Sequence, residues 1–175
     1  MNKITPLKAL IAIPLTLIHY LVYGIILLVF WPLQWFCLKI FGYKGHKITV
    51  DALYTCLNAS LILLASRVKI KNNFKLPTDR PLIIVANHQS HYDISPLGAA
   101  FRKHHPKYIS KIELSSGIPS VSFNLKNGGS VLIDRKDSKQ ALSALRDFGK
   151  YLEKNKYSGV IFPEGTRSKN GQPKR

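Results

Sequence analysis

The sequence predicts an α/β fold, a mixed and largely parallel sheet flanked by helices and preceded by N-terminal membrane-embedded helices. Three observations carry that reading. Short apolar runs at Val68–Ile70, Leu82–Ala86, Tyr108–Ser110, Ser130–Ile133 and Gly159–Phe162 read as strands. Helical stretches lie between them, and such alternation is the pattern of a layered, substantially parallel sheet. Ahead of all this, no Lys, Arg, Asp or Glu occurs from Ala9 to Leu38. We therefore divide the chain into an anchoring segment, residues 1–66, and an α/β domain, residues 67–175, where Lys and Asn become frequent after Arg67.

The charge-free run exceeds the roughly 20 apolar residues that cross a bilayer. Lys3 and Lys8 precede it as they would in a signal peptide, but it is longer than an h-region and no small-x-small cleavage site follows. A retained membrane segment is the better reading. Pro14 and Pro32 interrupt the run, and Trp31, Trp35 and Tyr43 suit an interfacial belt. Lysines flank both ends (Lys3 and Lys8, then Lys39, Lys44 and Lys47), so charge bias selects no orientation. A single tilted span and a bent segment dipping into one leaflet both fit. A second helix is predicted over 49–66, capped by Thr49 or Asp51, with Asp51, Thr55 and Asn58 on one polar stripe. It reads as lying against membrane or protein, not as a second span.

In the domain the clearest helix is Ser138–Asn155, with Ala141, Leu142, Leu145, Phe148 and Leu152 on one face and Asp137 with Gln140 as its capping pair. The formal net charge is +17. Nucleic acid is the generic partner of a basic chain, yet the basic residues are scattered and no nucleic-acid motif accompanies them. Beside an apolar anchor, anionic lipid headgroups are the natural partner, at about 1 kcal/mol per nearby Lys or Arg. Cys37 and Cys56, in apolar surroundings without metal-type spacing, read as buried free thiols. His104 and His105 read as surface residues.

Chemistry concentrates in Asn87-His88-Gln89-Ser90-His91-Tyr92-Asp93, directly after an apolar run. On an unbroken helix His88 and Asp93 would lie about 140° apart. They meet only if the strand breaks into a turn and a helix starts near Asp93. The imidazole then stands at the carboxyl end of a strand, where open α/β sheets keep ligands. A loop histidine beside a helix-capping aspartate is the bland alternative, and His88, His91 and Asp93 as metal ligands are another. In Phe162-Pro163-Glu164-Gly165-Thr166-Arg167-Ser168, glycine lets backbone approach an anion, the hydroxyl donates and the guanidinium grips phosphate. Glu164 either orients Arg167 or shapes the turn. Gly129-Ser130-Val131-Leu132-Ile133-Asp134-Arg135 is a third strand ending in a charged pair, Asp134 bracing its loop. A surface salt bridge is the competing role for Arg135 and Arg167.

Taken together, NHxxxxD, the Gly-rich approach to I-D-R and F-P-E-G-T-R-S, in that order over about residues 67 to 168, resemble the glycerolipid acyltransferase family, most closely its branch acting on 1-acyl-glycerol-3-phosphate. Lys111 to Leu114 with Ile118-Pro119 resembles the family's intervening segment. The resemblance implies transfer of a fatty acyl group from a thioester of CoA or acyl carrier protein to a lysophospholipid hydroxyl, giving phosphatidic acid. His88 is then the general base, help typically worth 10²–10⁴-fold, and Asp93 its orienting partner. Arg135, Glu164, Gly165, Thr166 and Arg167 form the phosphate site, and Lys111 is a candidate substrate contact. No cofactor and no metal are expected. Expected partners are the lysophospholipid, the thioester donor and anionic membrane lipids, without nucleic acid, at a bacterial inner membrane with the site on the cytoplasmic face. Acylation of another lysolipid or of glycerol 3-phosphate, and a non-catalytic basic membrane-binding protein, are the alternatives. A hydrolase lacks its G-x-S-x-G elbow. The family carries further strands, helices and a fourth motif beyond the point where this chain stops, so the expectation is a domain incomplete at its C-terminus.

Overall fold

Gly42 decides how the anchoring segment folds. A computed structural model describes residues 6–71, 75–168 and 172; Lys3, the side chain of Lys8 and residues 169–171 lie outside that description. Helix α1 runs Pro6–Ser60, through Pro14 and Pro32, and breaks at Gly42, where φ is 61° and ψ −152°. Such angles are open to glycine and strained for other residues. The helix doubles back, and Leu27 of the first limb packs on Leu53 and Leu57 of the second. A buried leucine contributes about 1.5–3 kcal/mol, so this seam holds the two limbs together.

The second limb begins right after Gly42, ahead of the predicted start at Thr49. Thr49 and Asp51 are interior residues, not caps. Thr49 Oγ1 donates to Gly45 O (2.7 Å) and Lys47 Nζ donates to Asp51. The limb lies against protein, burying Val50, Leu53, Tyr54 and Leu57. Asn58 Nδ2 donates to Ser95 O (3.3 Å) in helix α2, Ile94–Ala100. A 3₁₀ turn, Leu61–Leu64, ends the segment. Val68–Ile70, expected as a strand, runs as irregular chain.

Among the described residues four strands form: β1 Ile83–Val85, β2 Lys107–Lys111, β3 Val131–Ile133 and β4 Gly159–Ile161. Their order is β1-β4-β2-β3, every pair is parallel, and Ile84 stands opposite Val160. The parallel sheet agrees with the prediction. Parallel strands need crossover helices, here α2, α3 (Pro119–Asn127, with proline in its first turn) and α4 (Ser138–Asn155). Asp137 caps α4 by accepting from Lys139 and Gln140 amides, both at 3.0 Å. Gln140 does not return the bond; its Oε1 accepts from Asp134 N–H (2.9 Å). Phe148 and Leu152 are buried as expected, whereas Leu142 is 62% exposed. The core joins Ile84, Tyr108 and Val160 of the sheet to Val50 and Tyr54 of the second limb.

At the amino edge of the sheet, buried Lys107 donates to Tyr43 Oη (3.0 Å), its Nζ 4.7 Å from the Tyr43 ring and 4.8 Å from the Tyr157 ring. His105 stacks on both rings and bonds Tyr43 Oη through Nδ1 (2.7 Å), and His104 is buried. Neither histidine is a plain surface residue. Cys37 and Cys56 are free and half-buried.

Candidate active site

Parallel pairing sends every strand's carboxyl end to one edge, and the site is assembled from the turns that leave those ends. Beyond β1 the pairing continues for one residue, Ala86 N–H donating to Ile161 O (3.1 Å). Ser90 then caps a 3₁₀ turn, His91–Asp93, its Oγ accepting from Tyr92 N–H (3.3 Å) while the Asp93 carboxylate accepts from Ser90 N–H (2.9 Å). This is a capping box. The same Oδ2 accepts from Gln89 N–H (2.7 Å) and lies 3.0 Å from His88 Nδ1. The strand has broken into a turn and the two motif residues have met, as their spacing requires. An ionised carboxylate only accepts, so in the neutral ring Nδ1 carries the proton and Nε2 the lone pair. Asp93 is therefore both capping residue and imidazole partner.

The third motif clamps the first. Glu164 Oε1 accepts from His88 N–H (3.1 Å), and His88 O accepts from Ser168 N–H (2.8 Å). The His88 ring stacks on Phe162, centroids 4.3 Å apart and planes at 26°. Glu164 thus holds the His88 backbone in place. Gly165, at φ 61°, closes the turn by donating to Phe162 O (2.9 Å). A Cβ at Gly165 would lie 3.8 Å from Arg135 Nη1, which places the Arg135 guanidinium, carried in from beyond β3, against this turn. Arg167 is exposed and near His91, whose pKa falls through burial first and then through the charge of Arg167.

The structure therefore brings together His88, Asp93, Glu164, Gly165 and Arg135, with Arg167 on the His91 side. Thr166 is exposed on the turn. Lys111 ends β2 opposite Ile133 and is exposed, on the shared edge but separated from β1 by β4. His91 turns away from the His88–Asp93 contact, its ring lying against Tyr92 (3.9 Å) and Tyr23 (6.4 Å). Sequence reasoning missed Ser90, although Ser-x-x-Asp is a legible capping pattern. It also missed Phe162 as the platform under the imidazole, and the buried bonds of His19, which stood out only as a polar interruption in an apolar run.

The acyltransferase family model matches residues 67–175. The chain is 43% identical over 93 residues to the 1-acyl-sn-glycerol-3-phosphate acyltransferase of Helicobacter pylori, a match covering 51% of this chain and 37% of the relative. It is 32% identical over 105 residues to the human beta form of that enzyme, covering 60% of this chain and 37% of the relative. Its fold is similar to the crystal structure of the 1-acyl-sn-glycerophosphate (LPA) acyltransferase PlsC from Thermotoga maritima, with a TM-score of 0.72, 28% identity, and 93% of this chain and 64% of that chain covered. The matched stretch thus spans little more than a third of those two curated relatives. With the family model covering the whole α/β half and its motif residues gathered at one sheet edge, the chain belongs to the acyltransferase family.

Proposed function

We propose that the chain transfers a fatty acyl group from an acyl thioester to the free hydroxyl of 1-acyl-glycerol-3-phosphate, giving phosphatidic acid. The observation that carries this reading is the His88 Nδ1–Asp93 contact of 3.0 Å, which sets the tautomer of the neutral ring so that Nε2 is its basic atom at the carboxyl edge of the sheet. An alcohol is a poor nucleophile at neutral pH. Nε2 takes the hydroxyl proton as the oxygen attacks the thioester carbonyl, and Asp93 stabilises the imidazolium that forms. The C–S bond of the tetrahedral intermediate then breaks, and the departing thiolate takes the proton back from Nε2–H. The substrate supplies the nucleophile, so no serine is needed, and no cofactor or metal enters the scheme. Arg135 and Arg167 flank the Gly165 turn and suit the acceptor phosphate. CoA and acyl carrier protein are equivalent donors in this chemistry.

In the same reading the anchoring segment seats that site at a membrane surface, and its exposed apolar face supports this. Its first limb shows water a row of apolar side chains, among them Leu17 (65%), Leu21 (65%), Leu28 (58%) and Trp31 (51%). Its other face is committed to protein at both ends, with His19 Nε2 2.9 Å from Tyr92 Oη and Gln34 Nε2 donating to Ser120 Oγ (2.7 Å). The stretch from His19 to Gln34, about 22 Å of helix, lies along the α/β domain. A limb so held cannot cross the bilayer without drawing the charged domain in after it, so it lies in one leaflet. We place the protein on the cytoplasmic face of a bacterial inner membrane, the side from which a water-soluble thioester donor reaches the site.

The test is turnover of lysophosphatidic acid and labelled palmitoyl-CoA, or the palmitoyl carrier-protein thioester, by membranes carrying wild type or His88→Ala. Phosphatidic acid from the wild type, with at least a hundredfold less from a folded His88→Ala, is the expected result. Comparable rates from the two would overturn the base assignment.

A further inference from the structure

We propose that His19, in the anchoring helix, is a positioning residue for the catalytic turn, acting through the Tyr92 hydroxyl. His19 is fully buried, so both ring nitrogens need partners. Nδ1 lies 3.1 Å from the carbonyl of Ser60 and Nε2 2.9 Å from Tyr92 Oη. A carbonyl only accepts, so Nδ1 carries the proton and Nε2 accepts from the tyrosine. Ser60 is the last residue of α1, where the chain passes into the Leu61–Leu64 3₁₀ turn. One imidazole thus ties the first limb, the end of the second limb and the catalytic turn together.

Tyr92 is the right residue to receive that tie. It stands inside the His91–Asp93 turn, immediately before the carboxylate that orients His88. Its ring lies edge-on to His19 at 5.5 Å and to Tyr23 at 5.9 Å. Burial, then the neighbouring Tyr20, pushes its hydroxyl up to about 12, so it remains a donor at working pH. Asp93 is fixed from one side by the Gln89 and Ser90 amides. The His19–Tyr92 bond fixes the turn from the other, using a residue that belongs to the membrane-facing helix. Seating of the anchor and alignment of the His88–Asp93 pair are thereby one structural event.

The catalytic readout rests on the acyl-transfer reading; the structural readout does not. Tyr92→Phe removes one oxygen and keeps the ring, and His19→Asn keeps a donor for Ser60 O while losing the Nε2 acceptor. In vesicles of phosphatidylethanolamine and phosphatidylglycerol, each variant and the double variant would be followed by hydrogen exchange over residues 87–93, by melting temperature and by kinetics with lysophosphatidic acid. Expected are roughly tenfold faster exchange of the Gln89 and Ser90 amides and roughly tenfold lower kcat. The acceptor KM should stay at wild type, Tm should fall by no more than the few degrees one hydrogen bond is worth, and the double variant should be no worse than either single one. Exchange at the wild-type rate overturns the proposal, as does faster exchange spread evenly over the whole chain. Faster exchange in a chain that makes no phosphatidic acid even as wild type would uphold the positioning role and overturn the acyl-transfer reading.

Discussion

Two guanidinium groups approach one turn from different parts of the chain, and that convergence makes the phosphate assignment testable at single residues. Arg135 lies against Gly165, and Arg167 is carried on the same turn. A charge-assisted hydrogen bond is worth about 1.5–3 kcal/mol, so Arg167→Ala or Arg135→Ala should raise the acceptor KM by roughly ten- to a hundredfold. The kcat should change far less, because the proton transfers occur at His88. Steady-state kinetics over a lysophosphatidic acid range reads this directly, and a wild-type KM in both variants would place the phosphate elsewhere. Some of this is legible in residue order alone. His88 and Asp93 are recognisable as a pair because only five positions and a forced turn separate them. Glu164 is not legible as the holder of the His88 backbone, because its partner lies 76 positions away and depends on β1 and β4 being neighbours.

Among the elements, the strands and α4 are legible from apolar runs and a period-3.6 face, and the misreadings have physical causes. Val68–Ile70 has the composition of a strand but pairs with no strand among the described residues. The second helix starts earlier than its sequence suggests because Thr49 and Asp51 resemble caps, whereas Gly42, the residue able to reverse the chain, sets the boundary. Lys107 pins that corner, and its setting has a measurable consequence. Burial, then the charge of Lys47, lowers its pKa to about 8 from the ordinary 10.5. Between those values the unfolded chain binds more protons at this site than the folded one, so stability rises with pH across the window. The contribution approaches about 1.4 kcal/mol per pH unit. It gives out near pH 10, where Tyr108, held protonated by burial, begins to favour the unfolded chain. Denaturant melts of wild type and Lys107→Met from pH 8 to 9.5 should show the variant's stability rising less steeply. Parallel pH profiles would mean that the Lys107 ammonium is not desolvated.

At the scale of the whole molecule, 26 Lys and Arg face only 9 Asp and Glu, and one apolar helix face remains uncovered. Composition alone announces a membrane segment but cannot choose between crossing the bilayer and lying in one leaflet, because both arrangements need the same apolar length. The proposed single-leaflet arrangement rests on tertiary contacts at His19 and Gln34, which no hydropathy window contains. The two arrangements differ in depth at the middle of the first limb. A span buries Ile25 near the bilayer centre, while a limb lying in one leaflet keeps it within about 10 Å of the headgroups, the depth of interfacial helices. Trp31 and Trp35 are the only tryptophans in the chain, so Ile25→Trp in a Trp31→Phe, Trp35→Phe background provides a single fluorophore. Quenching in vesicles by bromines near the headgroup should exceed quenching by bromines at the chain ends. The reverse order would mean that the helix spans the bilayer, and that the contacts of His19 and Gln34 with the α/β domain give way in the membrane.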